Sequence, residues 1–180
     1  MLLIKKTLNH PKVRPEERLC FEKKIEEYKK QGKPIIYLDE SGFAHDMPRT
    51  HGYSIKGTRC FGKQDWGAKG RTNVIGALLN KELLTISLFE HNIDTQTFSY
   101  WIKKDLMPKL PDGSVIVLDN ASFHKNKEMQ DYIRKAGYIL EYLPVYSPDL
   151  NPIEHKWAQA KSIRRKYQCN IDQLFRDHCP

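Results

Sequence analysis

The chain has 180 residues, 39% of them hydrophobic and 29% charged, and 30 Lys plus Arg against 22 Asp plus Glu leave a net charge of +8. This suits one globular domain, able to bury roughly 70% of its unfolded surface without a disulfide or metal staple, and excludes a fibrous or largely disordered class. No apolar run approaches the ~18 residues of a membrane helix, and Met1-Leu2-Leu3-Ile4 meets Lys5-Lys6 too soon for a signal peptide, so no membrane is expected and the compartment is cytoplasmic.

Residues 1–33 are polar and charged. Pro15-Glu16-Glu17-Arg18 opens a helix, with proline near its start and acids in its first turn. Leu19, Ile25 and Tyr28 form its thin apolar stripe, and Gln31-Gly32 closes it. Ile35-Ile36-Tyr37-Leu38 is a nearly continuous apolar run, as in a strand covered on both faces, and it leads into Asp39-Glu40-Ser41-Gly42. A long basic loop follows, roughly 44–71, carrying Lys56, Arg59, Lys63, Lys69 and Arg71. Thr72–Leu79 and Leu83–Glu90 read as a hairpin. Asp94-Thr95 caps a helix that runs to about Lys109 and carries Phe98, Trp101, Ile102 and Leu106. Ser114–Leu118 is a second buried strand, ending in Asp119. Lys125–Ala136 is helical, with Met129, Tyr132 and Ile133 on one face. Tyr138–Leu143 is a strand, and Asn151-Pro152 starts the last helix. Hairpin strands pair antiparallel and helix-connected strands pair parallel, so the expected fold is α/β, a mixed sheet flanked by helices.

Two buried runs each deliver an aspartate, Asp39 and Asp119. Sites in open α/β sheets form just outside the carboxyl ends of strands, and parallel neighbours lie ~4.8 Å apart. Either aspartate alone is also a common turn residue. Glu154, in Asn151-Pro152-Ile153-Glu154, fits the N3 position of a helix start, so a capping role stands beside a chemical one. Three clustered carboxylates repel one another unless cations lie among them, and oxygen-only donors suit Mg²⁺ or Mn²⁺. Two such ions can clamp the attacking and leaving oxygens of a phosphodiester, and a basic surface can hold a polyanionic backbone elsewhere.

Three blocks then carry a resemblance: Ile36 to Phe43 (Ile-Tyr-Leu-Asp-Glu-Ser-Gly-Phe), Leu118 to His124 (Leu-Asp-Asn-Ala-Ser-Phe-His), and Tyr146 to Trp157 (Tyr-Ser-Pro-Asp-Leu-Asn-Pro-Ile-Glu-His-Lys-Trp). They resemble the signature blocks of bacterial insertion-sequence transposases of the mariner superfamily, most of all the insertion-sequence six-thirty branch. Asp119 and Glu154 are separated by 34 residues, the spacing of that superfamily's aspartate–aspartate–glutamate (DDE) set. Gly76-Ala77 and Asp94 to Phe98 also resemble the family.

The resemblance implies a ribonuclease H-like five-stranded sheet over residues 34–167. The segment 1–33 would be an N-terminal remnant with a linker helix, and 168–180 a C-terminal tail. It implies that Asp39, Asp119 and Glu154 hold two Mg²⁺ or Mn²⁺ ions. It further implies DNA strand cleavage at transposon ends, followed by strand transfer of the freed 3′-hydroxyl into target DNA, commonly at TA. The implied partners are double-stranded DNA and a homodimer or larger assembly, with nucleoid association when DNA-bound. Full-length relatives carry an N-terminal helix-turn-helix region, for which about thirty residues are too few. A separate upstream reading frame, fusion by frameshifting and a truncated relic are the open explanations, the first supplying a separate helix-turn-helix partner. Another ribonuclease H-like nuclease and a non-catalytic DNA-binding remnant are the alternative functions.

Asn120 reads as an orienting residue behind the acids. His124 reads either as a contact to DNA or the site, or as a surface histidine in a turn. Ser41 lacks a nucleophile-elbow context and reads as a turn residue. Trp157 reads as core packing. Lys161, Arg164, Arg165 and the basic loop 56–71 are the candidate phosphate contacts.

Overall fold

The computed structural model describes residues 11, 13–46, 53–61 and 70–179. Five strands form one sheet: β1 Ile35–Ala44, β2 Arg71–Leu79, β3 Glu82–Phe89, β4 Val115–Leu118 and β5 Ile139–Tyr142, in spatial order β3-β2-β1-β4-β5. The first three are antiparallel neighbours, while β1 pairs parallel with β4 and β4 pairs parallel with β5. A short turn joins β2 to β3, residues 45–70 join β1 to β2, and a helical crossover joins β4 to β5, which produces the mixed sheet expected. β1 does not stop at Leu38. It continues to Ala44 because β2 supplies partners along its full length, pairing Ala44 with Arg71 at the far end. Ser41 is therefore a buried strand residue and not a turn residue.

The sheet buries both faces, and the period-2 alternation of side chains sorts them. Ile36, Leu38, Ile75, Ala77, Ile116 and Leu118 face one helical layer. That layer is α2 (Thr95–Trp101) and α3 (Lys127–Lys135), through Phe98, Trp101, Ile102, Leu106, Met129 and Ile133. Asp94 caps α2 by accepting the Thr97 N–H at 2.8 Å. α2 departs from the single helix expected to Lys109: Ile102–Leu106 widens into a π turn and Met107–Lys109 tightens into a 3-10 turn at Pro108. α3 starts two residues later than expected, capped by Asn126, and Tyr132 lies half out of the apolar face under the Lys103 ammonium.

The opposite face carries α1 (Pro15–Lys30) and α4 (Ile153–Tyr167). α1 packs Phe21 and Ile25, with Tyr28 beside them, on Ile35, Val115, Val117 and Leu143. The stripe is thus i, i+4, i+7 from Phe21, and Leu19, expected within it, is exposed. α4 packs Ile153, Trp157 and Ala160 on Phe43, Val74 and Leu78. A short α5 (Ile171–Gln173) and the turn after it return Leu174 and Phe175 to that cluster. Among the described residues, no helix is long and apolar enough to cross a membrane.

Candidate active site

The parallel register of β1 and β4 ends at Tyr37 opposite Val117. Asp39, within β1, and Asp119, just past the end of β4, each lie two residues further on, so they stand at the same level of neighbouring strands. Glu154 arrives from the first turn of α4. The three acids line one cleft of about 340 Å³, with Asn120, Ala121, Asn151 and the segment 143–148 forming the rest of its wall.

Their environments differ. Asp39 is buried, and Oδ2 accepts the Trp157 indole N–H at 3.0 Å. Burial first, then the negative charges of Glu154, Glu40 and Asp119, push its pKa from 3.8 up to about 8, against the lowering effect of a backbone hydrogen bond. Asp119 is pulled the opposite way. Burial raises its pKa, but hydrogen bonds from His124 and the Ala121 N–H, with the histidine charge, outweigh that and leave it lowered. Glu154 is exposed, and its side chain makes no helix cap. Pro152 occupies the N-cap position, and the Glu154 N–H donates to the Asn151 carbonyl at 3.1 Å. The capping role considered for this glutamate is therefore not realised, and Glu154 lines the cleft as an exposed residue.

His124 is no surface histidine. It is fully buried, its ring packed between Phe98 and Phe123 at centroid distances of 4.4 and 4.1 Å. Nδ1 lies 2.6 Å from Asp119 Oδ1 and Nε2 lies 2.9 Å from Glu40 Oε1. Burial lowers its pKa, but the two carboxylate hydrogen bonds and charges prevail and raise it from 6.5 to about 9. The imidazolium thus bridges two acids from different strands. Asn120 lines the cleft and donates from Nδ2 to the Leu143 carbonyl at 3.4 Å, tying the end of β4 to the end of β5. Asn151 is buried, and its Nδ2 lies 3.4 Å from the Leu38 carbonyl.

The basic residues divide. Lys56 and Arg59 are exposed in the described part of the β1–β2 loop, and Arg71 is exposed at the start of β2. Lys63 and Lys69 lie outside the described residues. Lys161 and Arg165 are partly exposed on α4, Lys161 with its ammonium 5.4 Å from the Phe43 ring centroid. Arg164 corrects the reading of that run as one phosphate-binding face. It is buried, and its guanidinium donates to the carbonyls of Ala44, His45 and Cys169, clamping the end of β1 to the end of α4. A helix turns consecutive residues by ~100°, so one of three adjacent cations points inward.

Among the described residues, no group of three or more His, Cys, Asp or Glu is arranged to hold a metal ion as it stands. The acids share a cleft without converging: one Asp39 oxygen is engaged by Trp157, one Asp119 oxygen by His124, and Glu154 stands out toward solvent. Glu40, the Trp157 N–H and the Asn151 amide are parts of this neighbourhood that sequence reasoning missed. All three lie inside the signature blocks, the one sequence signal that could have pointed to them.

A sequence model of the DDE superfamily endonucleases matches residues 34–174. The chain belongs to that family. This DDE-family chain is 27% identical over 132 residues to the Tc3 transposase of Caenorhabditis elegans, covering 69% of this chain and 40% of that protein. It is 35% identical over 57 residues to a 39 kDa insertion element IS630 protein of Shigella sonnei, covering 31% of this chain and 17% of the other. Its fold is similar to the Mos1 transposase in a paired-end complex with the left transposon end, at a TM-score of 0.72 and 14% identity, covering 91% of this chain and 53% of that one. The Mos1 mariner transposase catalytic domain matches with a TM-score of 0.55 and 12% identity, covering 96% of this chain and 89% of that domain. The DDE-family chain thus spans about half or less of the longer relatives it matches, and its fold is the ribonuclease H-like one implied by the three sequence blocks.

Proposed function

We propose that this chain is a transposase catalytic domain that cuts DNA at transposon ends and joins the freed 3′-hydroxyl to target DNA, with Asp39, Asp119 and Glu154 as its acidic triad. The observation that carries the reading is that three acids, delivered by β1, β4 and α4, line one cleft. The donor set fits hard divalent cations, because every candidate ligand atom is a carboxylate oxygen. Burial first and then the neighbouring acids push Asp39 upward, and the His124 imidazolium is already shared by Asp119 and Glu40, which supports a cation among the three acids.

Asp39, Asp119 and Glu154 would hold two Mg²⁺ or Mn²⁺ ions. When bound, such ions lower the pKa of water and stabilise charge on the phosphodiester oxygens. The protein's own contribution is positional. Two carboxylates stand on a rigid sheet, and the third is delivered by a helix packed on it. Phosphates of double-stranded DNA would be held by Lys56, Arg59, Arg71, Lys161 and Arg165, with Lys63 and Lys69 as further candidates, because such contacts fix the register of a duplex. Relatives described with paired transposon ends support an assembly of two or more catalytic chains on DNA. A helix-turn-helix partner supplying end recognition belongs to the same reading.

The test compares wild type with Glu154→Gln on transposon-end DNA in Mg²⁺ or Mn²⁺, with the cognate N-terminal module added. Glu154 is exposed and caps nothing, so stability should stay within about 0.5 kcal/mol. Cleavage and strand transfer should vanish. Equal activity of the two proteins would sink the triad assignment.

A further inference from the structure

We propose that Trp157 is a positioning residue for Asp39, and that a glycine stands at position 76 so that the indole can reach the carboxylate. The proposal rests on the acidic-triad reading above and adds to it the device that orients one of its members.

Trp157 lies three residues after Glu154 on α4 and is 1% exposed. Its Nε1–H donates to Asp39 Oδ2 at 3.0 Å, across 118 residues of sequence. An indole N–H can only donate and does not titrate in the physiological range. It therefore recognises the carboxylate as an acceptor and fixes which oxygen is engaged.

The approach is possible because of Gly76. On β2, Gly76 is the residue opposite Asp39. A Cβ placed there would lie 2.5 Å from Trp157 Cη2 and 2.8 Å from Cζ2, closer than side chains tolerate. Any larger residue at 76 would drive the ring away from the strand. The ring is also seated edge-to-face against Phe43 and Phe175, each with its centroid 6.3 Å away. Packing alone would be served by a phenyl ring. A buried N–H aimed at an acid of the cleft is a further feature, and groups that hydrogen-bond ligating carboxylates tune a metal site. The same helix carries Glu154, so the Trp157 contact sets α4 against β1 and brings two of the three acids into one frame.

The experiment uses the full chain without DNA. Mn²⁺ binding is followed by the electron paramagnetic resonance signal of free Mn²⁺, and folding by thermal unfolding in EDTA. Wild type, Trp157→Phe, Asp39→Asn and a chain with 3-benzothienylalanine at 157 are compared; the last keeps the indole's shape and replaces N–H by sulfur. The benzothienyl chain should unfold near the wild-type temperature yet bind Mn²⁺ at least ten-fold more weakly, and Asp39→Asn should lose most binding. If the benzothienyl chain binds as tightly as wild type while Asp39→Asn does not, Trp157 only packs; the positioning role is refuted and the triad stands. If Asp39→Asn binds like wild type, the triad itself fails and the proposal with it. Should Trp157→Phe fail to fold, the benzothienyl chain decides alone.

Discussion

Replacing Asp39 by asparagine should make the metal-free protein more stable. The folded protein holds this carboxyl at a pKa of about 8, against 3.8 for the ordinary side chain, because it is buried beside Glu154, Glu40 and Asp119. Folding therefore takes up a proton between these values. Stability falls as pH rises from about 4 to about 8 and levels off beyond. Each pH unit in that window costs about 1.4 kcal/mol, so at pH 7 the penalty is about 4 kcal/mol. Asparagine removes the titrating group and with it this penalty, and keeps an amide oxygen for the Trp157 N–H, while burying its own amide costs about 1–2 kcal/mol. The net gain should be about 2–3 kcal/mol, a rise in unfolding temperature of roughly 5–10 °C for a chain of this size. The assay is urea and thermal unfolding of both proteins in EDTA at pH 7 and pH 4. At pH 4 the gain should turn into a loss of about 1 kcal/mol, because Asp39 then folds with almost no protonation penalty while the buried amide still has its cost. An Asp39→Asn protein no more stable than wild type at pH 7, or a gain that persists at pH 4, would refute the reasoning.

Three further outcomes are expected. Gly76→Val should destabilise by about 1–3 kcal/mol despite valine's preference for strands, since its Cβ meets Trp157; an unchanged unfolding temperature would contradict the contact. Arg164→Ala should lower stability by about 2–3 kcal/mol and leave the salt dependence of DNA binding intact, whereas Lys161→Ala and Arg165→Ala should each reduce the log–log salt slope by about 1. A reduced slope for Arg164→Ala would restore it as a phosphate contact. His124 carries a folded pKa of about 9 above its ordinary 6.5, so its bridge contributes fully below about pH 6.5 and is lost as pH rises through 9. The stability gap between wild type and His124→Gln in urea should accordingly be wider at pH 6 than at pH 9.5; a gap independent of pH would mean that the ring is neutral throughout.

Much of this architecture was legible from local patterns. Apolar runs marked β1 and β4, asparagine and proline marked the start of α4, and Asp94 marked the cap of α2. The tight connection of β2 to β3 and the helical one between β4 and β5 marked an antiparallel and a parallel pair. Such features depend on neighbours within a few residues, where backbone sterics and hydrophobic period act directly. The same local logic misled where its signal was thin. Leu19 shares α1 with Phe21, Ile25 and Tyr28, but only the latter three share the face that meets the sheet. β1 outran its apolar stretch because β2 offered hydrogen-bond partners to Ser41 and Gly42, which a reading of hydrophobicity does not see.

That Asp39, Asp119 and Glu154 could line one cleft was legible in the sequence, because the first two each follow an apolar run and the third opens a helix. What surrounds them was not. That His124 turns inward to join Asp119 to Glu40, that Arg164 clamps carbonyls beside partly exposed cations, and that Gly76 yields space to Trp157 are facts about elements packed against one another from 81 to 120 residues apart in the chain. Pattern along a chain reveals which residues can form a strand or helix and which face is apolar. The partner that a buried donor or acceptor meets is chosen only when separate elements close on each other, because desolvation forces each polar group to satisfy itself with whatever the packing brings within reach.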